Sequence, residues 1–183
     1  MSKIVIVFHS GYGHTAKIAQ AVAEGSGGSL LAIDAEGNLP EGGWEQLAAA
    51  DAIVFGSPTY MGSVSWQFKK FADASSKVWF TQGWKNKLAA GFTNSASLNG
   101  DKFSTIAYLF TLSQQHGQFW VGTGLLPSNT KSATRADINN LGGSAGLIAA
   151  TPSDASTDEI VPGDLATARK FGERIVEALG KFA

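Results

Sequence analysis

The sequence predicts an α/β architecture: an open, doubly wound parallel sheet of five strands with helices on both faces. Three observations predict it. Short, nearly continuous apolar runs alternate along the chain with stretches whose apolar residues fall at helical spacing. The first run, residues 3–8, ends in the small polar turn Ser10-Gly11-Tyr12-Gly13-His14-Thr15, and a helical pattern starts at once. The chain has 183 residues, which suits a single domain, residues 1–183, with a large core.

Taken in order, residues 3–8 read as a strand buried on both faces. Residues 15–23 follow as a helix with Ile18, Ala19, Val22 and Ala23 on one face. Residues 29–33 are a second strand, and 44–50 a short helix with closely spaced apolar residues. The third strand, 52–55, is ended by Gly56-Ser57-Pro58, and the helix over 64–71 places Val64, Phe68 and Phe71 together. Residues 88–92 are the fourth strand; Phe103, Ile106, Ala107 and Phe110 mark the helix after it, ending near Gly117. Residues 119–121 start a fifth strand. Residues 122–163 are irregular and rich in Gly, Ser, Thr and Asn; a segment of that length is expected to carry function or an interface. Leu165, Ala168, Phe171, Ile175 and Leu179 mark a closing helix.

Composition narrows the function. Apolar residues make up 44% and charged residues 16%, which excludes a disordered chain. Fourteen basic and fifteen acidic residues nearly cancel, so there is no basic stripe for nucleic acid and no acidic field of the kind that steers electron carriers. Cysteine is absent, which removes disulfides, thiolate metal sites and a catalytic thiol. The three histidines and the carboxylates show no metal-ligand spacing, so no metal is expected. Gly-x-Ser-x-Gly is missing, against an α/β-hydrolase. The apolar run 4–8 is too short for a signal peptide or a membrane span, and a cytoplasmic location is expected.

Ligands of open α/β sheets bind outside the carboxyl ends of the strands. The loops there are 10–15, 57–63 and 93–100, and nearly all their residues are small, hydroxyl-bearing or glycine. The first offers the Ser10 and Thr15 hydroxyls and the N–H groups of a helix start, a site for phosphate held by neutral donors. Each loop alone also reads as an ordinary turn or cap; the three together are more specific. Two cofactor readings follow. Gly11-x-Gly13-x-x-Ala16 with Asp34 about twenty residues on matches the dinucleotide fingerprint in its Gly/Ala form. Against it, His9 and Ser10 separate the first glycine from the strand end, and five strands are visible rather than six. A five-stranded sheet binding a mononucleotide uses all three loops.

Four segments carry a family resemblance: Ser10-Gly11-Tyr12-Gly13-His14-Thr15 with residues 21–25; residues 51–62 ending Gly56-Ser57-Pro58-Thr59-Tyr60-Met61-Gly62; Phe92-Thr93-Asn94-Ser95-Ala96-Ser97 with Gly100; and His116-Gly117. The chain resembles the NAD(P)H:quinone oxidoreductase branch of the flavodoxin-like proteins, the WrbA-type family, and the related NADPH-dependent FMN reductases. The resemblance covers nearly the whole chain. It implies strand order 2-1-3-4-5 and FMN as cofactor, with Ser10, Tyr12, Gly13, His14 and Thr15 on the phosphate. Pro58, Thr59, Tyr60, Met61 and Gly62 would border the isoalloxazine ring; Thr93, Asn94, Ser95, Ala96, Ser97 and Gly100 would hold the ribityl chain and pyrimidine edge. Trp79 would wall the flavin site, within the chain or across a subunit boundary of a homo-dimer or homo-tetramer. His116 would lie near the open flavin face, and His116 or Tyr60 would serve the quinone oxygen. The implied activity is ping-pong hydride transfer from NAD(P)H to quinones. A flavodoxin-type electron carrier, a redox-sensing flavoprotein and an FMN reductase are the alternatives. Tyr60 departs from the basic or polar residue usual in the family, Gln115 stands where a second histidine is common, and the segment between strands two and three is short.

Overall fold

The architecture follows from strands that are apolar on both faces. The structure is a computed structural model describing residues 3–182. In β1 (Ile4–Phe8) every residue is buried; Ile4, Ile6 and Phe8 face one core, Val5 and Val7 the other, as the two-residue period of a strand requires. Parallel neighbours are β2 (Ser29–Ala32) and β3 (Ala52–Tyr60), and β5 (Leu88–Ser95) lies beyond β3. With β6 (Phe119–Trp120) outermost, the order β2-β1-β3-β5-β6 is the doubly wound order expected.

The fifth position is divided. The start of β5 pairs with β6 (Phe119–Trp120) and its end with β7 (Leu147–Ala150), both parallel. Residues 121–146 leave the sheet between these halves and return. The sequence reading placed only 119–121 there, because β7 is a four-residue run behind Gly143-Ser144-Ala145-Gly146. A further short strand, β4 (Ser63–Val64), pairs antiparallel with β3.

Helices α1 (His14–Ser26) and α6 (Pro162–Phe182) cover one face. On the other lie α2 (Gly43–Ala48), α3 (Trp66–Ala74) and α5 (Lys102–Gln115), with an aromatic core of Phe55, Phe68, Phe71 and Trp84. The helix expected over 64–71 starts later, because Ser65 caps it by accepting from Phe68 N; Val64 belongs to the strand before. Helix α4 (Ser76–Phe80) was not anticipated. In α5 the expected apolar stripe reaches the core at Ile106 but not at its two phenylalanines. Phe103 and Phe110 are exposed, while Lys102, Thr105, Ile106, Leu109 and Ser113 are buried.

Helices α1 and α6 cross closely. A Cβ on Gly25 would overlap the Arg169 carbonyl, and one on Gly172 would overlap the Val22 carbonyl and sit 2.8 Å from Ser26 N. The glycines are what let α6 hold α1, and with it the loop in front of α1. No helix among the described residues is long and apolar enough to cross a membrane.

Candidate functional site

The ends of β1, β3, β5 and β7 open onto one cleft of about 170 Å³. Nine residues singled out from the sequence line it: Tyr12, His14, Thr15, Pro58, Thr59, Tyr60, Asn94, Ser95 and Ala96. Thr151 and Ser153, just past β7, complete it. These two were missed with β7; the signal was the apolar run 147–150 followed by Thr-Pro-Ser, much as the apolar run 52–55 is followed by Gly-Ser-Pro-Thr.

The first loop is built as an anion seat. Gly13, at φ +89°, forms the N-cap of α1 and makes no side-chain cap, and the first turn has no acidic residue. The N–H groups that a helix start leaves unpaired therefore face a place where negative charge is favoured. Ser10 tightens the loop by accepting from Ala16 N at 3.1 Å. His14 donates through Nε2 to the Ala155 carbonyl at 2.7 Å, tying the loop to the segment behind β7. A Cβ on Gly13 would lie 2.9 Å from the Thr157 methyl, so the same segment closes the loop from behind.

The second loop is a two-residue hairpin rather than a strand-to-helix turn. Tyr60 pairs with Ser63, and Met61 and Gly62 both have positive φ, 48° and 77°. Such a turn demands left-handed residues; Gly62 accepts this freely and Met61 under strain. The Met61 side chain is fully exposed. Ser57 braces the hairpin by accepting from Ser65 N at 3.0 Å. Tyr60 meets Tyr12 edge to face, with centroids 6.4 Å apart at 84°. Burial, then the Tyr12 phenol, raises the Tyr60 pKa, so Tyr60 stays a neutral O–H donor.

Under the third loop runs a buried hydroxyl chain, Thr93–Thr59–Thr105, with both links 2.8 Å. It explains why β3 and β5 continue past the expected ends: the polar residues there satisfy one another. Thr151 donates to Asn94 Oδ1 at 3.1 Å, which leaves the Asn94 NH2 free of that bond. Ser95 Oγ is buried and without a partner. Ser97 and Gly100 lie at the far end of the loop, off the cleft; Lys102 Nζ donates to the Ser97 carbonyl.

One expectation is corrected, and one is narrowed to its alternative across a subunit boundary. His116 is not at the cleft. It caps the far end of α5, and fourteen residues of helix separate the two ends by about 21 Å. It is 4% exposed, its ring 4.3 Å from that of Trp84. Ser75 Oγ donates to the Ala72 carbonyl at 2.6 Å, so His116 Nε2–H must donate to Ser75 Oγ at 2.9 Å. Nδ1 is then unprotonated and has no partner. Burial pushes the His116 pKa from 6.5 down to about 4. Because the folded value lies below the unfolded one, protonation favours unfolding: stability is fully present above pH 6.5 and is lost as pH falls toward 4. The loss is on the order of 3 kcal/mol. Urea denaturation between pH 7 and 4 should show this slope, and His116→Gln, which has no titrating ring, should flatten it. Trp79 does not line the cleft of its own chain; it is 48% exposed on α4 beside Phe80. The remaining histidine, His9, is buried at the end of β1, and burial lowers its pKa.

The geometry matches known proteins. The NADPH-dependent FMN reductase family model matches residues 43–125. Flavodoxin FldP of Pseudomonas aeruginosa is 55% identical, across 96% of this chain and 95% of that protein. The crystal structure of a flavodoxin, WrbA-like protein from Agrobacterium tumefaciens superposes with a TM-score of 0.83 at 49% identity, covering both chains fully. The chain belongs to the WrbA-type flavodoxin-like family. Within it, an NAD(P)H dehydrogenase (quinone) of Geotalea uraniireducens is 32% identical over 99% of both chains. An archaeal flavodoxin at 17% identity and a TM-score of 0.64 shares the fold.

The cleft fits FMN, the cofactor of this flavodoxin-like family. A helix start with a glycine N-cap and no acidic residue in its first turn suits a phosphate, and the unpartnered Ser95 hydroxyl and the Asn94 amide suit the polar edge of a flavin. No group of histidines and carboxylates among the described residues could hold a metal.

Proposed function

We propose that the protein is an FMN-dependent oxidoreductase that passes two electrons from NAD(P)H to quinones, both substrates using one site in turn. FMN would supply the hydride chemistry. One observation carries the reading. The aromatic groups of the cleft, Tyr12 and Tyr60, belong to the β1 and β3 loops, whereas the β5 and β7 side is walled by Asn94, Ser95, Ala96, Thr151 and Ser153. A flat ring bound there would meet the aromatic side chains of the β1 and β3 loops, and the small polar residues of the β5 and β7 side would leave room for a second flat molecule. The nearly balanced charge, fourteen basic and fifteen acidic residues, fits small-molecule substrates better than electrostatic docking of a redox partner.

In this reading the α1 start holds the phosphate and the β5 loop fixes the ring edge. Tyr60, a neutral phenol, donates to the quinone oxygen. Tyr60→Phe should lower kcat/KM for benzoquinone about tenfold, the worth of one good hydrogen bond, with FMN affinity unchanged. Parallel double-reciprocal plots against NADH would support alternating use of one site; intersecting plots would oppose it. Exposure of Trp79 and Phe80 on α4 supports a homo-oligomer, and a cytoplasmic site of action is part of the same reading. The second reading is a flavodoxin-type electron carrier, favoured by the 55% identity to a protein named flavodoxin.

A further inference from the structure

The loop after β5 is used on both sides. Ser95 and Ala96 line the flavin cleft, and Leu98 and Asn99 line a second cavity of about 650 Å³. That volume lies within the usual range of small-molecule sites. One wall is apolar: Leu98 and Phe103 are 63% and 71% exposed, with Ile106 and Ile148 behind them. The exposed Phe103 ring at the mouth of the cavity, with the Leu98 side chain beside it, offers a surface for a ring.

The other wall is cationic. Lys102 is 2% exposed and donates to the carbonyls of Ser97 and Leu98. Arg135 Nη2 donates to Asp164 Oδ2 at 2.7 Å, and the same oxygen accepts from Ala150 N at 2.9 Å. Arg135 Nη1 is buried and has no partner. Two cations face one carboxylate, so one positive charge is in excess, in a chain whose net charge is −1. A guanidinium nitrogen left dry and unpaired costs free energy that an anionic acceptor would recover.

We propose that this cavity is a second ligand site, taking a flat aromatic molecule that carries one negatively charged group. The ring lies against Phe103 and Leu98, and the anion pairs with the Arg135 guanidinium, whose side chain is 27% exposed and lines the cavity, with Lys102 beside it. A simple inorganic anion would leave the apolar wall wet, and an uncharged ring would leave the guanidinium with no partner but Asp164. Burial lowers the Lys102 pKa to about 8, and a bound anion would hold that amine in its charged form. The chemistry has two sources: the phosphorylated adenosine end of a nicotinamide donor, or a free aromatic carboxylic acid. The proposal stands without the redox reading, because it rests on the cavity and its side chains.

The test is calorimetry on the full-length, FMN-loaded protein with adenosine 2′-monophosphate, 2-naphthoate, adenosine and inorganic phosphate. At least one aromatic anion should bind saturably, with adenosine at least about tenfold weaker and phosphate alone giving no saturable heat. Arg135→Gln should weaken the aromatic anion at least about tenfold, with the flavin spectrum and FMN retention unchanged. Phe103→Ala, at an exposed position that does not endanger folding, should weaken it several-fold. Preference for the nucleotide, with an NADPH KM raised in Arg135→Gln, would assign the site to the donor; preference for naphthoate with no change in KM would assign it to a separate acid. Absence of saturable binding by either aromatic anion, or equal affinity in both variants, would overturn the proposal, whatever the enzyme does with quinones.

Discussion

Gly172→Ala is expected to destabilise the protein by about 2–3 kcal/mol, a thermal midpoint lower by roughly 4–12 °C. In an exposed helix the same change stabilises by up to about 1 kcal/mol, because alanine loses less backbone entropy. Here the added methyl would overlap the Val22 carbonyl and lie 2.8 Å from Ser26 N. Both are backbone atoms of α1, so no side-chain rotation relieves the clash and the helices must part. Gly180 is the internal control: it lies on the same helix with nothing within 4 Å of an added Cβ, and Gly180→Ala should leave the midpoint unchanged or slightly higher. Thermal denaturation of the pair decides the matter, since opposite signs on one helix separate packing from propensity. Because α6 holds α1 and α1 carries the phosphate loop, Gly172→Ala should also loosen FMN. Equal midpoints for the two variants would mean that the close crossing carries no weight.

Tyr12→Asp should weaken FMN by about thirtyfold without harming the fold. Tyr12 is 73% exposed and its ring contact is an edge with Tyr60, so little packing is lost. A carboxylate just ahead of α1 interacts favourably with the helix dipole, by about 0.3–1 kcal/mol, and the apo-protein should melt no lower than wild type. The same carboxylate competes with the phosphate for the helix start and repels it, by about 2 kcal/mol at intermediate effective dielectric. Tyr12→Asn, its neutral twin, should bind FMN nearly as wild type does. Quenching of FMN fluorescence measures both, and the gap between them should narrow as salt rises. Equal affinities for Asp and Asn would place the phosphate elsewhere.

The fold was legible where residue chemistry and periodicity agree. Residues 4–8 are apolar throughout and are β1; Ile18, Ala19 and Val22 turn to the core as their spacing requires. It was less legible where polar residues are buried in pairs. The extensions of β3 and β5 through Thr59, Thr93 and Asn94 hold because Thr105 and Thr151 complete their hydrogen bonds, and those partners are distant in sequence. The stripe of α5 misled for the converse reason: Phe103 and Phe110 stay outside while Lys102 and Thr105 go in. Three loops of the site were readable because small residues at strand ends share one sheet edge. The fourth, Thr151 and Ser153, was hidden by the 121–146 excursion that divides the last strand. His116 was misplaced because the His-Gly resemblance was followed although the helix pattern ending near Gly117 already puts His116 at the C-terminal end of α5, away from the strand ends that form the cleft.

An anaerobic titration of the FMN-loaded protein with NADH or NADPH, followed by addition of benzoquinone, tests the proposed activity most directly. The oxidised flavin band should bleach in a single stage with at least one of the two donors and return in full on addition of quinone. Tight FMN binding with no response to either nicotinamide, or bleaching that quinone does not reverse, would contradict the oxidoreductase and leave the electron carrier.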